Sequence, residues 1–365
     1  MNFQEKLEEI VERINFLESR RMKFSRFLRK INEDFKIGPE EEIKDPQIIN
    51  KVGDEFPNKI SILGVDGGIV KHSYHGIDIF LMRSVGVNFN YDFGRLGEVQ
   101  YYPSSNPIPS PKIVTEQLSE IELNSYYNFE RQIMEIQTTI EATKKLKPDV
   151  VFLDGSIIPT YVNKPENAAL KPYYNTLIEK YKELFELIEN GKTRIAGVVE
   201  DSRSTKFCDI LNRKIMSKMS SELSNEIQKI LEKTRDTNIL FYTLKRGERT
   251  CIFNYSSTNN TPIMREFEGM KKNFFSFYIK TVEFDRPIRV DFICFDNPIT
   301  MANEISSILV KTSCHAGYGI PSVLIEADQR AKLSEKDMEI FYTNLVSKLG
   351  NISTLFKMRR EMRPF

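Results

Sequence analysis

KISILGVDGGIV, residues 59–70, is the stretch whose reading decides the fold. Ile60, Ile62, Leu63 and Val65 form a short, β-branched-rich apolar run, too brief for a buried helix, so the run reads as a strand. Asp66 stands at its carboxyl end with Gly67 and Gly68 behind it. The pattern recurs at VVFLDGS, residues 150–156, where Asp154 closes a second buried-type strand. Each carboxylate is expected to project from a strand end beside a glycine that leaves room for another backbone or a phosphate. One Asp-Gly pair is only a turn. Two such strands side by side bring Asp66 and Asp154 within reach of one Mg²⁺ or Mn²⁺, hard cations that favour carboxylate oxygens.

Outward from these strands, HGIDIFLMRSVGVNFNYD (75–92) and EVQYYPS (98–104) predict further strands in antiparallel hairpins. Helical spacing predicts helices over 116–147, ended by Pro148, and over 170–190, followed by a strand at TRIAGVVED (193–201). Residues 209–236 read as helix, 237–295 contain strand material at FFSFYIKTVEF and PIRVDFICF, and helices follow at 298–312 and from 321–333 toward 349. This order is α/β. Ahead of it, Phe3, Leu7, Ile10, Ile14, Leu17, Met22, Phe24 and Phe27 recur near helical spacing, and 37–58 reads as an acidic linker. The expected organisation is an N-terminal helical arm and linker, 1–58, and one larger domain, 59–365.

Composition excludes several classes. Lys and Arg number 52 against 51 Asp and Glu, so a nucleic-acid partner would be held by a local basic surface. The four cysteines show no CxxC spacing and there are three histidines, which argues against structural zinc. With a charged N-terminus and no long apolar run, the chain is expected to be soluble and cytoplasmic, with no membrane span.

A third carboxylate would complete a two-metal hydrolytic site. The 116–147 helix offers Glu130, Glu135 and Glu141; Glu135, between Met134 and Ile136, is the favoured candidate, and the other two read as solvated charges. In HAGYGIPSVLIEADQRAKLS (315–334), Glu326 and Asp328 straddle the apolar face of a helix, and either could complete a metal shell. His315 and Tyr318 are candidate phosphate or proton-transfer groups, and Arg203 and Lys206 in GVVEDSRSTKF candidate phosphate contacts. Phe274, Phe275 and Phe277 could stack on bases but read better as core.

Several blocks in this order resemble the NurA-type nucleases: GVDGG (64–68), RQIME (131–135) leading to VVFLDGS, GVVEDSRS (197–204), FYIKTVEFDRPIRVDF (277–292) and GIPSVLIEADQRAKLS (319–334). The resemblance implies an RNase H-like mixed-sheet core with helical additions at the N-terminus and in insertions. It also implies a homodimer, Mn²⁺-dependent cleavage of DNA, and a hexameric HerA-type ATPase as partner in end processing or phage defence. Carried over by block, the acidic positions fall on Asp66, Glu135 and Asp154, with Asp328 where many members have histidine. Two departures stand out: Ile320 where a tyrosine is expected, with Tyr318 out of register, and Glu200 where a lysine is expected. The set would bind two ions, Mn²⁺ or Mg²⁺. The alternatives are an actin-like ATPase, which also places Asp-Gly turns at strand ends, and a DNA-clamping subunit with weakened catalysis.

Overall fold

The computed structural model describes residues 2–34, 42–159, 164–216, 228, 230–231, 234–255, 262–350 and 352–359. Helix α1 (Phe3–Asp34) and a short strand β1 (Ile49–Lys51) precede the meander β2 (Lys59–Ser73), β3 (Asp78–Asp92) and β4 (Arg95–Tyr102), with β5 (Ser110–Val114) returning along β3. Then come α2 (Glu120–Leu146), β6 (Val150–Asp154), α3 (Lys171–Glu189), β7 (Arg194–Val199) and α4 (Lys206–Met216). The C-terminal part holds α5 (Asp236–Thr243), β8 (Glu248–Thr250), β9 (Phe253–Asn254), β10 (Phe274–Lys280), β11 (Ile288–Ile293), α6 (Pro298–Thr312), α7 (Ser322–Ala331) and α8 (Glu335–Leu349). The middle of the helix expected over 209–236 lies outside the described residues. The single helix expected from 321 toward 349 is two, because Ser334 and Asp337 form a capping box that starts α8 afresh. No helix among the described residues is long and apolar enough to cross a membrane.

The chain forms two compact units, Met1–Phe56 with Gly155–Ile157 and Ala196–Ser322, and Pro57–Asp154 with Ile158–Ile195 and Val323–Phe365. In the second, β2 runs antiparallel to β3 along its whole length, from Lys59 opposite Asp92 to Ser73 opposite Asp78. On its other edge β2 pairs in parallel with β6, Ile62 beside Val150 through Val65 beside Leu153. The amide of Arg194 donates to the Asp149 carbonyl at 3.0 Å, so β7 begins beside β6. Three antiparallel strands followed by a parallel one are the order expected of an RNase H-like core, and the chain is an α/β protein with a mixed sheet.

The crossover between β2 and β6 is built by α2, whose ends the sequence marks clearly. Ser119 and Glu122 form a capping box at its start, and Lys147 in the left-handed region stops it before Pro148. Tyr174, Leu177, Ile178, Tyr181, Leu184, Phe185 and Ile188 make one buried stripe of α3, which packs on α2. Strand β6 is buried at Val150, Val151, Phe152 and Leu153, as a strand covered on both faces must be. Asp154, the next residue, is exposed.

In the first unit, β1, β8, β10 and β11 are antiparallel neighbours, and residues 196–199 of β7 pair with β11. Phe274, Phe275 and Phe277 are buried core. Helix α1 divides by function: Phe3, Leu7, Ile10 and Ile14 are exposed, whereas Phe24 and Leu28 share a core with Phe207, Ile239, Leu240 and Tyr278. The arm expected over 1–58 is therefore, in its second half, part of this core. A buried bidentate pair, Arg249 to Asp45 at 2.8 and 2.9 Å, ties β8 to the segment before β1.

The Asp-Gly-Gly of β2 departs from the expected strand end: the strand continues to Ser73. Its glycines admit neighbours on both faces. A Cβ on Gly67 would lie 2.7 Å from Glu135 Cγ on α2, and one on Gly68 would lie 2.1 Å from the Ala331 carbonyl oxygen on α7. Gly68→Ala is therefore expected to cost about 1–3 kcal/mol by overpacking against an immovable backbone. Gly53→Ala, where a Cβ meets nothing within 4 Å, should fall within about 0.5 kcal/mol of wild type. Urea denaturation of the two variants checks the pair.

Candidate metal centre

Parallel pairing fixes two carboxylates before any side chain is considered. Val65 is level with Leu153, so Asp66 and Asp154 are the next residues on adjacent strands. Asp66 is 6% exposed, its Oδ1 accepts from the Gly67 amide at 2.7 Å, and its carbonyl accepts from the Ser84 hydroxyl. Strand alternation puts Gly64, Asp66 and Gly68 on one face and Gly67 on the other. Gly64 meets Val323 and Gly68 meets Ala331, so α7 runs along β2 on the Asp66 face. Eight helical residues rise about 12 Å and four strand residues about 13 Å, which brings the middle of α7, Ala327 and Asp328, level with Asp66.

Glu135 approaches from the other face, over Gly67. It is buried, and Oε2 accepts from Arg131 Nη1 at 2.7 Å one helical turn earlier. Arg131 also reaches the Gly67 carbonyl, at 3.4 Å. Burial pushes the Glu135 carboxyl up to about 8; Arg131 opposes the rise, and the negative charges of Asp66 and Asp154 add to it. The same carboxylates hold Arg131 more firmly protonated, Glu135 most of all. Asp66, Asp154, Glu135 and Arg131, from β2, β6 and α2, thus act on one another, with Glu135 and Asp66 buried, Arg131 partly exposed and Asp154 exposed. Among the described residues, no three Asp, Glu, His or Cys side chains are gathered closely enough to hold an ion as they stand. Glu135 is turned to Arg131.

The other sequence-marked residues fall as follows. Asp328 is exposed on α7. Its neighbour Glu326 accepts from the Tyr101 hydroxyl and from Arg330 Nε. The readings of Glu130 and Glu141 as solvated charges are corrected: Glu130 is buried and paired with Lys112 at 2.6 Å, and Glu141 accepts from Tyr102 at 2.8 Å. In the first unit, Lys206 Nζ donates to the Tyr255 carbonyl at 2.7 Å and lies 3.8 Å from that ring's centroid, and burial pushes its ammonium down to about 8. Arg203 is exposed. His315 Nδ1 accepts from the Gly317 amide. The Tyr318 hydroxyl donates to Glu200 Oε1 at 2.7 Å, so the out-of-register tyrosine bonds to the carboxylate that stands where a lysine is expected, while Ile320 is buried. Arg131 was missed at the level of sequence, although it opens the RQIME block and sits four residues before Glu135.

The NurA domain family model matches residues 60–333. Among solved structures, the NurA nuclease from Sulfolobus solfataricus is 16% identical with a TM-score of 0.61, over 96% of this chain and 98% of that one. A NurA bound to dAMP and manganese is 12% identical with a TM-score of 0.53, over 98% of this chain and 100% of that one. A NurA with manganese is 10% identical with a TM-score of 0.51, over 94% and 99%. At these identities the likeness is one of fold. A search of curated proteins found no match.

Among the described residues Arg131 is the cation that acts on Glu135, so its removal should leave that carboxyl against Asp66 and Asp154 unopposed. Arg131→Met is expected to lower stability in EDTA by about 2 kcal/mol, below the full value for a buried pair because the arginine is partly exposed. Adding Glu135→Gln should recover most of that loss. Urea unfolding of the two single variants and the double variant measures the coupling, and additive effects would contradict it.

Proposed function

Since the chain belongs to the NurA domain family, we propose that it is a divalent-metal-dependent DNA nuclease whose acidic set is Asp66, Glu135, Asp154 and Asp328. The observation that carries the reading is the register of β2 and β6, which sets Asp66 and Asp154 side by side while Glu135 descends over Gly67. The donor set fits a hard cation: all carboxylate oxygens, crowded, and opposed by a single guanidinium. Asp66, Asp154 and Glu135 would hold the metal, Mn²⁺ or Mg²⁺ and two ions in the full reading, with Asp328 contributing from α7. When bound, the metal supplies Lewis acidity toward a phosphodiester and makes water a better nucleophile at neutral pH.

The chain's own residues do the rest. The Gly67 amide fixes the Asp66 carboxylate. Arg131 orients Glu135 and balances part of its charge, which keeps that oxygen donor in place while the site is without other cations. Burial of Glu135 restricts water, so charges placed there act more strongly than they would at the surface. A homodimer working in the cytoplasm with a hexameric HerA-type ATPase belongs to the same proposal. Support for it on the surface is the exposed apolar stripe of Phe3, Leu7, Ile10 and Ile14 on α1.

The Tyr318–Glu200 bond favours a second reading, a DNA-clamping subunit of weakened activity, because it engages the nearby tyrosine with the carboxylate that stands where a lysine is expected. The actin-like alternative has no such observation behind it. End-labelled linear DNA incubated with Mn²⁺, Mg²⁺ or EDTA separates nuclease from clamp. The nuclease reading expects metal-dependent cleavage, abolished by Asp66→Asn and by Asp154→Asn with folding intact; full activity in either variant would remove the site.

Asp328 has its own expectation. Asp328→Ala should lose activity with both metals, whereas Asp328→His should keep Mn²⁺-dependent cleavage and lose proportionally more with Mg²⁺, imidazole being the softer ligand. Wild-type rates in both variants would make Asp328 a surface charge. For assembly, Ile10→Glu with Ile14→Glu should weaken capture by a HerA-type ATPase without changing the melting temperature, because both side chains are exposed in the free chain.

A further inference from the structure

In the first unit a cavity of about 490 Å³ opens between α1, the segment after β7, the start of α5 and the loop joining β10 to β11. Its volume is in the range of pockets that take small ligands. Four carboxylates and four guanidiniums line it, and their pairing is uneven. Glu18 is engaged by Arg21 and by the Tyr242 hydroxyl, and Asp201 by Arg286 at 2.9 Å. Glu200 takes the Tyr318 hydroxyl, and Asp285 accepts from the backbone amides of Gly319 at 2.7 Å and Arg286 at 2.8 Å. All four carboxylates are thus satisfied from within the unit, two of them without using an arginine.

Arg203 and Arg235 are left over: among the described residues neither side chain has a partner. Arg21 adds a buried Nε with no acceptor. Beside these donors stand Phe284, 78% exposed, and Phe241, 43% exposed. The wall that carries Phe284 is fixed, since its amide donates to the Ala316 carbonyl and the neighbouring Asp285 is bonded to Gly319. Two guanidiniums, each a planar fork of donors, suit bidentate pairing with the oxygens of a phosphate, and exposed aromatic rings beside them offer a face to a base.

We infer that this cavity is a nucleoside-phosphate subsite, in which Arg203 and Arg235 hold a phosphate and Phe284 and Phe241 stack on its base. The inference takes its ligand, a nucleotide of single-stranded DNA, from the nuclease reading, and goes beyond it by placing strand binding on residues outside the acidic set.

The test is binding, in EDTA, of a fluorescent oligodeoxythymidylate to the full chain across a range of salt concentrations, with thymidine monophosphate and inorganic phosphate as competitors. Arg203→Gln with Arg235→Gln should weaken binding about tenfold or more and lower the salt slope by about 0.7, the share of the one phosphate they hold. Phe284→Ala should weaken it by about tenfold with the slope unchanged. Thymidine monophosphate should compete better than inorganic phosphate. Both arginines are exposed, so melting temperatures should not move. Unchanged affinity and slope in the double arginine variant, or equal competition by the two anions, would overturn the subsite. Absence of cleavage with every metal would instead overturn the nuclease reading while leaving the binding result intact.

Discussion

The parallel pairing of β2 with β6 is the constraint on which the second unit depends. Because Val65 is held level with Leu153, Asp66 and Asp154 cannot separate without breaking the sheet, whatever their mutual repulsion costs. The glycine next to Asp66 then lets α2 bring Glu135 against β2 from one face, and Gly64 and Gly68 let α7 lie against the face that carries Asp66. A side chain at Gly67 or Gly68 would push one helix away. The Asp-Gly-Gly sequence is therefore a packing requirement of a sandwiched strand as much as a feature of a binding site.

Such an arrangement is costly for the folded chain. A carboxyl buried beside two others is raised far from its ordinary range, and among the described residues Arg131 is the cation that offsets the crowding. Residues chosen for stability alone would not set a buried carboxyl beside Asp66 and Asp154 with one guanidinium to oppose them. The excess negative charge has a natural use in holding a cation, and the Arg131–Glu135 pair keeps the site ordered without one. In the first unit the imbalance has the opposite sign: among the described residues the acids of the cavity are satisfied and two guanidiniums are not.

The sequence disclosed the candidate site better than it disclosed the architecture around it. Short apolar runs ending in aspartate identified β2 and β6, and the spacing of Glu135 on a capped helix separated it from its neighbours. Local pattern could not show that β2 runs on through Asp-Gly-Gly, because the reason is tertiary: β3 pairs with it as far as Ser73, and two helices need the glycines. Nor could it show that Glu130 and Glu141 are engaged, since Lys112 and Tyr102 lie on strands before the helix. Lys206 looked like a loop cation in sequence, yet packing turns it onto Tyr255. Glu200, a departure from the family pattern, and Tyr318, a candidate proton-transfer group out of register, lie 118 positions apart in sequence and are joined by the fold.

The central claim is that the crowded carboxylates of β2, β6 and α2 bind a divalent cation. Titration of the purified chain with Mn²⁺, followed by the electron paramagnetic resonance signal of the free aqueous ion, tests it without relying on any substrate. The account predicts saturable loss of the free signal with wild type, and retention of the signal with Asp66→Asn at the same concentrations while the fold is unchanged. Equal Mn²⁺ uptake by wild type and Asp66→Asn, or none by either, would contradict it.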